Sequence, residues 1–83
     1  MKEIVVDVTL AATGGQYDVR LPESMNSLMA ANLTARALSR LSDGSYLPSD
    51  SSIFAFRENG RLLDTSHALS EEKVHNGSRL LLI

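Results

Sequence analysis

The sequence predicts an α+β fold: a five-stranded mixed sheet of order 2-1-5-3-4, one main helix packed on one face, and a short 3-10 turn before the last strand. Three observations lead there. Two stretches of period-2 alternation flank Gly14-Gly15, as in a β-hairpin. Apolar residues between Met25 and Leu41 recur at helical spacing. The closing segment, Leu80 to Ile83, is apolar on both faces and so belongs in the middle of a sheet. Reaching a central last strand from the hairpin takes a crossover, which makes strands one and five parallel and lays the helix over one face.

Each element has its own signal. In the first strand Ile4, Val6, Val8 and Leu10 alternate with Val5, Asp7 and Thr9; in the second, Tyr17, Val19 and Leu21 alternate with Asp18 and Arg20. Pro22 ends the second strand, having no N–H for a ladder, and Ser24 is placed as the helix N-cap. A helix over 25–41 then presents Leu28, Met29, Leu33, Ala37 and Leu41 as its apolar face, with Arg36 and Arg40 near the negative end of its dipole and Asp43-Gly44 as its stop. Ser42 to Ser52 reads as the longest loop, with Tyr46-Leu47-Pro48 folding back as a small plug.

Phe54 and Phe56 alternate with Ile53, Ala55 and Arg57 in a third strand, and Glu58-Asn59-Gly60 turns the chain into a short return strand, Arg61-Leu62-Leu63. Ser70 to Val74 forms one tight helical turn, with Ser70 capping it and Leu69 and Val74 inward, before Asn76-Gly77 reverses the chain.

At 83 residues this is a single domain, 1–83, near the lower size limit for a self-supporting core. No cysteine is present, so disulfides and thiolate metal sites are excluded. The net charge is −2 with cations scattered along the chain, which argues against nucleic acid as a partner. Neither a signal core nor an apolar run of membrane-spanning length is visible, and the expectation is a cytoplasmic protein with no direct membrane insertion.

Nothing in the chain assembles a catalytic site, and no cofactor or metal is expected. His67 and His75 flank the Leu69–Val74 turn without partner ligands at metal-binding spacing and read as surface histidines. Glu71-Glu72 beside a helix start reads as a solvated pair suited to the dipole, Gly14-Gly15 as a turn rather than a phosphate loop, and Met25 and Met29 as core lining.

The segment from Gly60 to Ile83 resembles the C-terminal half of ubiquitin. The resemblance rests on a turn glycine, a basic residue and Leu63, an Asp-containing turn, Leu69-Ser70-acidic-x-x-Val74, a polar reversal and then x-Leu80-x-Leu82-aliphatic. The first half resembles ubiquitin in element order and apolar spacing. Within ubiquitin-like proteins the chain is similar to the bacterial YukD and EsaB group attached to type VII secretion systems, through Tyr17-Asp18-Val19-Arg20-Leu21 and Asn76-Gly77-Ser78-Arg79-Leu80.

The resemblance implies a β-grasp, ubiquitin-like domain and a non-enzymatic accessory or regulatory role in a secretion machine, docking on a cytoplasmic or membrane-embedded protein component. Ubiquitin is conjugated through a flexible Gly-Gly tail; here the last residue is Ile83, on the closing strand, so the expectation is a non-conjugated protein. Ubiquitin's recognition face maps onto Arg57, Leu81 and Ile83; Arg61, together with Val5 and Ala55 from the strand alternation, extends it as the expected protein-binding surface. Other readings are a generic β-grasp adaptor, a sulfur-carrier or modifier, and a noncatalytic subunit of another complex such as an oxygenase. The edge segments Tyr17–Leu21 and Arg61–Leu63 offer backbone for pairing with another chain, and the oligomeric state is left open.

Overall fold

A computed structural model describes residues 2–41 and 52–83. Alternation in the first two strands becomes a long antiparallel hairpin, β1 (Glu3–Leu10) and β2 (Gln16–Pro22), in which Ile4 faces Leu21, Val6 faces Val19 and Val8 faces Tyr17. Gly14 closes the turn at φ 77°, a left-handed conformation that side chains resist, and its N–H donates to the Leu10 carbonyl. The closing strand β4 (Arg79–Leu82) runs parallel to β1, and β3 (Phe54–Phe56) pairs antiparallel on its other side. The sheet order is β2-β1-β4-β3.

Among the described residues that is four strands, not five in the order 2-1-5-3-4. The expected return strand Arg61-Leu62-Leu63 shrinks to one isolated bridge between Ala55 and Leu62. Its ladder is stopped at both ends. Gly60, at φ 73°, turns the chain on one side, and on the other a second turn follows at once, closed by the His67 N–H on the Asp64 carbonyl at 3.1 Å.

Helix α1 spans Ser27–Leu41 and crosses one face of the sheet. Its cap is Asn26 rather than Ser24: Asn26 Oδ1 accepts the N–H groups of Leu28 and Met29 at 2.9 and 3.1 Å, the N2 and N3 donors that a helix start leaves open. Ser24 instead lies inside the turn that the Met25 N–H closes on the Pro22 carbonyl. The Asp43-Gly44 stop and the Tyr46-Leu47-Pro48 plug lie outside the described residues.

The helix also faces the sheet differently from expectation. Its buried residues are Ser27, Ala30, Ala31, Thr34, Ala35 and Leu38, whereas Met29, Leu33 and Leu41 are 56, 45 and 67% exposed and Ala37 is also exposed. The buried stripe lies about a third of a turn from the Met29-Leu33-Ala37 stripe. Volume accounts for the choice: the sheet already supplies Phe54, Ile4, Leu10, Leu80 and Leu82, and the segment before the 3-10 turn Leu69, all fully buried, and small residues let the helix backbone approach them.

Ser70–Glu72 form a single 3-10 turn closed by Lys73 at φ 63°, with Leu69 and Val74 in the core as expected. Ser70 does not cap it. No side chain caps it; the Glu71 carboxylate instead reaches back to accept the Ala68 N–H at 2.8 Å, ahead of the turn.

Candidate functional site

The helix covers the face of the sheet built from Ile4, Val6, Val8, Leu80 and Phe54, so the alternate residues form an open face. Register places these residues in rows, because partners across a ladder share a face. One row reads Asp18, Asp7 and Arg79, with Arg57 beside it through its N–H to the Arg79 carbonyl at 3.0 Å. The next reads Gln16, Thr9, Leu81, Ala55 and Leu62. A third pairs Ile53 with Ile83, each N–H donating to the other's carbonyl at 3.3 and 3.0 Å.

The expected surface of Val5, Ala55, Arg57, Arg61, Leu81 and Ile83 is therefore brought together only in part. Leu81 is half-buried and Ile83 is 54% exposed, on adjacent rows of the open face. Val5 is 38% exposed but lies beyond the charged row, opposite Arg20 and next to Gly77, which offers no side chain to extend the patch. Ala55 is 0% exposed: its methyl sits in the row between the larger Leu81 and Leu62, so it supports the surface without contributing contact area.

The two arginines also differ from expectation. Arg57 Nη2 lies 2.9 Å from Asp7 Oδ2 and donates to the Asp7 carbonyl at 3.2 Å, so the guanidinium is held flat on the sheet as a border to the apolar rows. Arg61 leaves the open face altogether. Leu62 pairs with Ala55 on that face, so Arg61 and Leu63 point to the other side, where the Arg61 guanidinium stands 4.8 Å over the Phe56 ring and 3.3 Å from Glu72 Oε1.

Two residues complete the apolar surface that the expected set missed. Leu62 is 52% exposed beside Ala55, and Ile53 is half-buried beside Ile83. The signal was in the alternation itself: Ile53 has the parity of Ala55 and Arg57, and Leu62 the parity opposite to Leu63.

Behind the sheet edge, Glu72 gathers a second group. It is buried rather than solvated, and its carboxylate accepts the Asp64 N–H at 2.9 Å, Arg61 Nη1 at 3.3 Å and a contact from His67 Nδ1 at 3.1 Å. These bonds favour the ionised form; the backbone donor of Asp64 is the largest influence in holding the Glu72 carboxyl below its ordinary range. His67 is pushed up, first by its bond to Glu72 and then by the Asp64 charge, and Asp64 is lowered mainly by the Ser66 hydroxyl and N–H. The arrangement ties the Asp64–His67 turn to the 3-10 turn, which is a structural role. Among the described residues no group of three His, Cys, Asp or Glu is placed to hold a metal ion, and no helix is long and apolar enough to cross a membrane.

No family model matches the chain, and no curated protein sequence matches it. Solved structures do. The ubiquitin-like domain of EccD5 from Mycobacterium xenopi superposes with a TM-score of 0.80 at 20% identity, covering 100% of this chain and 94% of that one. The ubiquitin-like domain of the Mycobacterium tuberculosis type VII secretion system protein EccD1 gives 0.76 at 18% identity, covering 100% and 99%. The ubiquitin-like domain of Plasmodium falciparum Dsk2 gives 0.73 at 17% identity, covering 98% and 96%. At such identities the likeness establishes the fold, which together with the sheet order and the helix α1 across one face is the ubiquitin-like β-grasp.

Proposed function

We propose that this domain is a non-enzymatic docking module of a bacterial type VII secretion machine, of the YukD and EsaB kind, and that it touches a protein component of that machine through its open sheet face. The observation that carries the docking role is the apolar surface of Leu62, Leu81, Ile83 and Ile53, bordered by the Arg57–Asp7 pair. Apolar side chains grouped on the uncovered face of a small sheet, with a charged row along one side, form the core and rim of a recognition surface. The secretion assignment is supported by the family resemblance and by the likeness to the two EccD domains. It implies a cytoplasmic location and no covalent chemistry of the domain's own.

The test is secretion by a bacterial host lacking the gene, complemented with variants whose folding is checked by circular dichroism. Wild type and Val5→Asp restore export of the system's substrates, and Leu62→Asp and Ile83→Asp do not. If both latter variants restore export, the surface is wrong; if the deletion leaves export intact, the secretion assignment is wrong. The likeness to Dsk2 favours the second reading, a β-grasp adaptor of another complex acting through the same face.

A further inference from the structure

Among the described residues strand β2 pairs with β1 alone and forms an edge of the sheet, and the parity of its hydrogen bonds fixes which groups it offers. The Leu10 N–H donates to the Gly15 carbonyl, and the Glu23 N–H to the Lys2 carbonyl, so odd-numbered residues of β2 face β1. The N–H and C=O groups of Asp18 and Arg20 therefore point away from the sheet, as does the carbonyl of Pro22. Their side chains lie on the open face, exposed, and among the described residues neither forms an ion pair.

We infer that this edge pairs with the same edge of a second copy, antiparallel about a two-fold axis through Val19. Only residues of even number can form the new ladder, which restricts the register. Centring on Asp18 would set Asp18 against Asp18 of the second copy, and centring on Arg20 would set the two arginines together. Centring on Val19 places each Asp18 opposite the other copy's Arg20, so both pairs exchange N–H···O bonds and opposite charges at once. Val19 then faces its own counterpart in a non-hydrogen-bonded pair, where side chains come closest.

The packing beside the edge fits the same occupant. A groove of about 230 Å³ runs between β2 and α1, lined by Val19, Leu21, Met25, Leu33, Thr34 and Ala37. The exposure of Leu33 at 45% is what that groove leaves uncovered, and the two-fold brings a second groove of the same kind to the same side of the joined sheet. Charges on an edge strand also serve to prevent pairing, and in that role they would leave the wild-type chain monomeric.

Sedimentation equilibrium on the full chain, over micromolar to millimolar concentration, separates the two. The expected result is a reversible dimer. Asp18→Arg and Arg20→Asp each weaken it by about tenfold or more, since each turns two attractive cross-strand pairs into repulsive ones, and the double exchange restores it. All variants keep the wild-type circular dichroism spectrum, because the substituted side chains are exposed. A wild-type chain that stays monomeric throughout, a dimer indifferent to the single changes, or a double exchange that fails to restore it would each overturn the inference. None of these outcomes decides the secretion assay, whose variants at Val5, Leu62 and Ile83 lie outside β2.

Discussion

Arg57 Nη2 stands 2.9 Å from Asp7 Oδ2, and this contact divides the open face: Val5 lies on one side of it and Leu81 on the other. Asp7 needs the partner, because across the hairpin it faces Asp18, a like charge. Arg57→Glu would set a third carboxylate beside these two. The expected cost is on the order of 1 kcal/mol in urea denaturation at low salt, shrinking as salt is added. A salt-independent loss would show that packing, not charge, is what Arg57 supplies. The variant is for this reason a poor probe of docking, and the exposed Leu62 and Ile83 are better ones.

Stability should also respond to pH through Glu72 and His67. The raised imidazole contributes fully below its ordinary value of 6.5 and loses that contribution as pH climbs through the raised value. The lowered carboxyls of Glu72 and Asp64 contribute above their ordinary 4.5 and 3.8 and lose it as pH falls through the lowered values. The group is therefore most stabilising between these ranges, and the melting temperature should decline as pH rises above 6.5. His67→Gln should flatten that decline. An alkaline slope unchanged in His67→Gln would show that His67 is not its source.

Asn26 joins two parts of the chain. Its Oδ1 caps α1, and its Nδ2 donates to the Thr65 carbonyl at 2.9 Å. Asn26→Ala removes both and should destabilise by about 1 to 2 kcal/mol, with Asn26→Asp retaining the cap but losing the donor. Ser24→Ala should be close to neutral. Chemical denaturation of the three variants checks the ordering, and an effect of Ser24→Ala equal to that of Asn26→Ala would return the cap to Ser24.

Alternation made the hairpin and the parallel closing strand legible, because Ile4, Val6, Val8, Leu10, Leu80 and Leu82 have one arrangement that buries them all. It also indicated Leu81 and Ile83 as outward. What it could not show is the position of rows along the strands, so Val5 joined a surface from which the Asp7 row separates it. Side-chain size misled in two places: Leu33 looked more core-forming than Ala31, and Glu72 looked solvated. Both turn on tertiary context. A helix over large sheet residues buries its small face, and a carboxylate with backbone, arginine and histidine donors can leave water. The return strand is short because turns bracket it, Gly60 at φ 73° before it and the bond from the His67 N–H to the Asp64 carbonyl after it.

The orientation of α1 gives the sharpest contrast between pattern and packing. Leu38 is 2% exposed and Leu33 is 45% exposed, although the helical spacing from Met25 selects Leu33. Leu38→Ala should leave a cavity against the sheet and cost about 2 to 5 kcal/mol, while Leu33→Ala should stay within about 0.5 kcal/mol. Ala31→Leu should be destabilising by about 1 to 3 kcal/mol, because Ala31 is fully buried and the added atoms would push the helix off the sheet. Denaturant midpoints for the three variants measure this directly. Were Leu33→Ala the most damaging, the helix would be rotated to bury its large stripe, and the groove beside β2 would close with it.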